Sequence, residues 1–186
     1  MTGYLEEEFW ENLVNKNIRS IDVLIENNFD LAAFKLMNCL IDSLSGFYSP
    51  DKTPGKRFYI FIKKYMPNMF NQVNFKDAIR FINKPEKKIN HVGDILYEAF
   101  RCGAVHDGFL GLGISLYRDK ELKILWSGEG IEIIRINILG FYEYLKKAIE
   151  DFKIDIDKNN EISNCFKIRF NRLNKPLFKL NKKAEI

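Results

Sequence analysis

The stretch "LAAFKLMNCLIDSLSGFY", residues 31–48, decides how the chain folds. It holds no proline, its one glycine stands close to its end, and its apolar residues crowd more than one side of a helix. Such a segment is predicted as a central helix, wrapped by others, ending near Gly46. Asp30 stands where an N-cap belongs. The polar residues within it, Lys35, Asn38, Asp42 and Ser45, are spaced three, four and three apart and so form one stripe; Ser43 lies beside them. Polar groups inside a core need partners. Two readings follow: the stripe faces solvent, or it belongs to a site.

Working outward, helical spacing recurs on both sides. Leu5, Phe9 and Leu13 repeat every four positions, and Ser20 is placed to cap "IDVLIENN". After the turn "SPDKTPGK", the segment "KRFYIFIKKYMP" carries Phe58, Phe61, Ile62 and Tyr65 at helical spacing, and Pro67 ends it. "FKDAIRFINKP" and "GDILYEAFRCGAV" read as two more helices, the latter followed by glycines at 108, 111 and 113. The period then changes. "ISLYRD", "LKILWSG" and "IEIIRINI" are short and mostly β-branched, and predict an antiparallel hairpin or meander near residues 113–137. Helical spacing returns in "LGFYEYLKKAIEDF" through Phe141, Leu145, Ile149 and Phe152, and "ISNCFKIRFNRL" forms a last helix.

The expected fold is mainly α: an up-and-down helical bundle with a small β insertion. The expected organisation is one helical domain over 1–157, followed by a basic, partly mobile C-terminal helix or tail over 158–186. That end carries Lys158, Lys167, Arg169, Arg172, Lys175, Lys179, Lys182 and Lys183.

Composition narrows the function. The 186 residues are 46% hydrophobic, with sixteen Phe, which excludes a disordered chain. A net charge of +4 permits nucleic acid without demanding it. Cys39, Cys102 and Cys165 are too few and too far apart for a disulfide scaffold or a structural zinc site, and read as buried free thiols in a reducing compartment. "MTGYLEEEFWENL" lacks the pattern of a signal peptide, and no apolar run approaches the ~20 residues of a membrane span. The chain is therefore expected to be cytoplasmic and off the membrane. No metal or cofactor is expected: HExxH, HxH and GxSxG are absent, and "GFLGLG" lacks the Lys-Ser or Lys-Thr of a phosphate loop. His91 reads as a loop residue.

The chemistry-bearing pair is Arg101 and His106 in "LYEAFRCGAVHDGFLG", residues 96–111. Histidine moves protons near neutrality, and arginine grips phosphate through two parallel hydrogen bonds. Together they suit metal-free RNA cleavage, with the 2′-OH as internal nucleophile. His106 would serve as general acid/base and Arg101 would stabilise the charge on the reacting phosphate. Five positions on a straight helix are about 140° apart, so convergence needs the helix to end between them, or a two-fold dimer. The plain alternative is an Arg and a His closing a helix C-terminus. Asp42, Asn38 and Cys102 are supporting candidates, with Asp42 placed to pair with Arg101 or orient His106. Lys56, Arg57, Lys63 and Lys64 alternate with Phe58, Tyr59, Phe61 and Tyr65, which either stacks bases and binds phosphates or is an ordinary half-buried helix.

"RCGAVH" resembles the R-x4-6-H motif of the HEPN superfamily, small helical domains that include many bacterial ribonucleases. The flanking "LIDSLSGFY", "FYIFIKKYMP" and "LYEAFRCGAVHDG" follow in the order seen in such proteins, over roughly residues 30–155. The resemblance implies a helical homodimer that cuts RNA without metal, in defence, stress or toxin–antitoxin biology, with Arg101 and His106 as its motif residues. Family nucleases often carry a polar residue just after the arginine, where this chain has Cys102. That departure points to the other behaviour of such domains, a non-catalytic dimer binding an antitoxin-like protein partner or a nucleotide.

Overall fold

The computed structural model describes residues 7–67, 93, 96–97, 114–119, 125–127 and 134–181. Helix α1 is helical from residue 7, passes through a π-helical stretch, Trp10–Asn15, and runs unbroken into the α-helical Lys16–Glu26. Helix α2 spans Asp30–Tyr48 and α3 spans Pro54–Tyr65. Strands β1 (Ile114–Tyr117), β2 (Leu125–Ser127) and β3 (Ile134–Asn137) precede α4, Ile138–Lys158, and α5, Asn160–Asn181. The chain is mainly helical with a small sheet.

Helix α2 is central, as its apolar density requires. It packs against α1, α3, α4 and α5, and Phe34, Met37, Leu40, Ile41 and Leu44 are buried. Two aromatic clusters hold the helices together. Phe9 and Phe47 meet Phe166 at ring separations of 4.9 and 5.2 Å, which joins α1, α2 and α5. Tyr48, Phe61, Tyr65 and Phe152 join α2, α3 and α4, with Phe152 5.5 Å from both Phe61 and Tyr65. Edge-on and tilted rings at these separations add to the burial of large apolar area.

The N-terminal helix departs from the four-residue stripe. In the π-helical stretch the repeat lengthens to i→i+5, so Val14 takes the core position beneath Phe9 and is buried, while Leu13 is only partly buried. Ser20 caps nothing: the helix runs through it, and its Oγ donates to the Lys16 carbonyl at 2.9 Å. Helix α1 ends instead at Asn28, whose φ of 61° lies in the left-handed region that asparagine tolerates. The Phe29 and Asn28 amides then close back on the Leu24 and Ile25 carbonyls at 2.8 and 3.1 Å. This is a Schellman ending, which satisfies carbonyls the helix would otherwise leave open.

The sheet corrects the antiparallel expectation. Its order is β1-β3-β2; β2 pairs antiparallel with β3, but β1 pairs parallel with β3. Strand β3 sits between the other two, so β1 and β2 never pair. The side chain of Asn137 helps fix this arrangement. Fully buried, it extends the β1–β3 ladder by donating to the Asp119 carbonyl at 3.1 Å and accepting from the Asp119 amide at 3.3 Å. One side-chain amide thereby acts as an extra peptide rung.

A second fastening ties β1 to the helices. Arg118 Nε donates to both carboxylate oxygens of Asp30 at 3.0 and 3.1 Å, and its Nη2 donates to the Ile25 carbonyl at 2.7 Å. Asp30 is thus the first residue of α2 with its carboxylate turned to Arg118, and the N-cap position falls to Phe29. Arg118→Ala is expected to cost about 1 kcal/mol, the worth of a partly exposed ionic hydrogen-bond set. Urea unfolding reads the loss. Arg118→Lys should restore only part of it, because an ammonium cannot reproduce the fork.

Helix α5 belongs to the core for at least its first half: Ile162 and Phe166 are buried and Phe170 packs beside them. Of its basic residues, Lys167 and Arg172 are exposed, while Arg169 is half-buried. Among the described residues, no helix is long and apolar enough to cross a membrane.

Candidate functional site

The polar stripe on α2 is divided between the core and the surface. Asn38 and Ser45 are fully buried, and Lys35, Asp42 and Ser43 are half-buried. Ser45 Oγ donates to the Asp42 carbonyl at 2.7 Å and Ser43 Oγ to that of Cys39 at 2.9 Å. Asn38 Nδ2 donates to the Phe34 carbonyl at 2.8 Å, but its Oδ1 is buried without a hydrogen bond among the described residues. A buried acceptor left so costs on the order of 1–3 kcal/mol.

Asp42 accepts from Arg57 Nη2 at 3.2 Å, so α3 supplies its cation. Arg57 stands in the first turn of α3, which Pro54 opens. Its guanidinium lies over Gly46, and so does that of Arg169 from α5. A methyl group placed on Gly46 would stand 3.5 Å from Arg57 Cζ and 3.6 Å from Arg169 Nε. Glycine in α2 leaves the backbone open where two arginines converge. The half-buried Arg169 had read as part of a basic tail, and Gly46 as a helix end. The usable signal was a glycine inside an otherwise strong helix, which marks a packing or close-approach position.

The remaining candidates separate. Lys56 and Lys63 are exposed, and Lys63 Nζ stands 5.9 Å from the centre of the Tyr59 ring. Lys64 is held in a network: it pairs with Asp155 at 2.6 Å and lies over the Tyr48 and Tyr65 rings. Phe58, Phe61 and Tyr65 are buried in the core, so they are not free to stack on bases. Arg101, Cys102, His106 and His91 lie outside the described residues, as does the segment "FKDAIRFINKP". Of "GDILYEAFRCGAV", Gly93, Leu96 and Tyr97 are described and helical. The Tyr97 ring packs 5.5 Å from that of Phe58 and against Gly55, at the start of α3. Cys39 is exposed, contrary to the buried-thiol reading, and Cys165 is half-buried. Partial burial raises the pKa of both thiols, which makes them poorer nucleophiles. Among the described residues no three His, Cys, Asp or Glu gather as a metal site.

The Asp155 network gives a pH test. The hydrogen bond from Lys64 leads in holding the Asp155 carboxyl below its ordinary value, and Tyr65 Oη adds a bond at 2.9 Å. A carboxylate depressed in the folded state stabilises the fold above its unfolded pKa, and that stabilisation is lost as pH falls through the folded value. Thermal unfolding of wild type and Asp155→Asn should therefore differ most at neutral pH. The difference should shrink as the pH is taken below about 4. A gap that stayed constant to pH 3 would assign the effect to packing instead.

Comparison with family models, with curated proteins and with solved structures finds no match to this chain.

Proposed function

We propose that the protein is a HEPN-like endoribonuclease that cleaves RNA by 2′-OH attack without metal. In this reading Arg101 stabilises the phosphate charge and His106 moves the protons. The observation that carries it is the placement of Tyr97 against Gly55 and Phe58. On the helix expected from the sequence, Arg101 follows Tyr97 by four positions and so shares its face. Tyr97 itself packs at the first turn of α3, where Arg57 meets Asp42. The phosphate-binding Arg101 would then stand near the polar stripe of α2, and His106 would join it if the helix ends between them. A homodimer is part of this proposal, since a two-fold axis brings two Arg and two His into one cleft.

A second reading has its own support. Asp42, the candidate for orienting His106, is already paired with Arg57, and Cys102 fills the usual polar position of the motif. Both favour a HEPN-like dimer that binds a protein partner or nucleotide without cutting. Incubating the purified protein with RNA in EDTA separates the two. Cutting in EDTA supports the nuclease, and intact RNA after exposure to well-folded protein overturns it.

A further inference from the structure

The two arginines over Gly46 present an unsolved electrostatic problem. Arg57 and Arg169 come from different helices, yet both guanidiniums stand within 4 Å of one point above the α2 backbone. The Nε of each is buried and has no acceptor among the described residues. A buried donor without an acceptor is costly, and two like charges at short range add repulsion. Asp42 compensates Arg57 through one bond at 3.2 Å. Arg169 makes no ion pair among the described residues; its neighbour one turn on, Arg172, pairs with Asp51 at 3.0 Å. Among the described residues, one positive charge is left over where the two guanidiniums meet.

A single oxyanion bridging both arginines removes all three costs. Its oxygens must accept from guanidinium planes on separate helices. A carboxylate offers two coplanar oxygens, which suit one fork. A phosphate offers tetrahedral oxygens, which can serve two forks from separate helices. The α3 N-terminus adds to the same field. Thr53 makes no side-chain cap bond there, and the amides of Gly55 and Lys56 precede the first i→i−4 bond, which Arg57 makes to Thr53.

We infer that Arg57 and Arg169 form a phosphate-binding site between α2, α3 and α5. The leftover charge matches a phosphodiester, so the backbone of RNA and free inorganic phosphate are the two sources of the same chemistry. The site goes beyond the cleavage reading, because it uses neither Arg101 nor His106. A protein with both of those substituted still binds phosphate here.

The test is a titration followed through the Nε–Hε signals of arginine in ¹H–¹⁵N spectra, assigned by their disappearance in Arg57→Lys and Arg169→Lys. The probes are inorganic phosphate and a short 2′-O-methyl oligoribonucleotide, which 2′-OH attack cannot cut. The Arg57 and Arg169 signals are expected to shift together, and Arg169→Gln to weaken binding by about tenfold or more. Shifts with phosphate alone assign the site to the free ion; shifts with the oligonucleotide assign it to the RNA backbone. Either supports the site. If neither probe moves these two signals while the wild type is folded, or if only other arginines respond, the proposal is overturned. The wild-type spectra decide this even if Arg169→Gln unfolds.

Discussion

On the nuclease reading proposed above, His106→Ala is expected to lower RNA cleavage by about 10²- to 10⁴-fold at neutral pH, the range for losing a general acid/base. Arg101→Ala should cost about 10²- to 10³-fold, as for removing a donor aimed at transition-state charge. The double variant should be little worse than the weaker single one, because residues acting in one step are not additive. The two losses differ in kind. A histidine acting as acid/base changes charge within the range assayed, so removing His106 should also flatten the dependence of kcat/KM on pH. Arginine stays charged throughout, so Arg101→Ala should lower the profile without changing its shape. Initial rates in EDTA over pH 5–9 measure both, on variants whose circular dichroism matches wild type.

Phe152→Ala carries the largest expected loss of stability. Its ring is fully buried in α4 and meets Tyr48, Phe61 and Tyr65 from α2 and α3. Truncation removes apolar area and leaves a cavity where three helices join, at a cost of about 3–5 kcal/mol. A domain is stable by only about 5–15 kcal/mol in total, and for a chain of this size the melting temperature should fall by roughly 10 °C. Phe152→Leu should recover much of the loss by refilling the volume. Val23→Ala, at a side chain 56% exposed on α1, is the control and should stay within about 0.5 kcal/mol. Thermal unfolding of the four proteins tests the packing account, and equal losses at Phe152 and Val23 would contradict it.

What could be seen in the sequence follows from how local each signal is. Helix α2 declared itself because its apolar density and its lack of proline lie within one segment. The α3 and α4 periodicities were legible for the same reason. The π-helical start of α1 was hidden, since a single register shift exchanges Leu13 for Val14 without changing composition. Strand positions were readable, but the parallel pairing of β1 with β3 was not. Pairing direction depends on contacts such as Asn137 with Asp119, which no local pattern encodes. The direction of the α2 stripe was equally open, because Asp42 finds its cation on another helix. The core role of α5 was masked: Ile162, Phe166 and Phe170 repeat every four positions, but the basic residues between them suggested a tail. The meeting of Arg57 and Arg169 over Gly46 is tertiary, built from segments far apart in the chain.

The most direct test of the central claim is the chemistry of the RNA ends left by the purified protein in EDTA. The account predicts 2′,3′-cyclic phosphates, and no cutting at a position carrying a 2′-deoxyribose, because the 2′-OH is the attacking group. Ends bearing 5′-phosphate and 3′-OH, or cutting that proceeds without the 2′-OH, would contradict it.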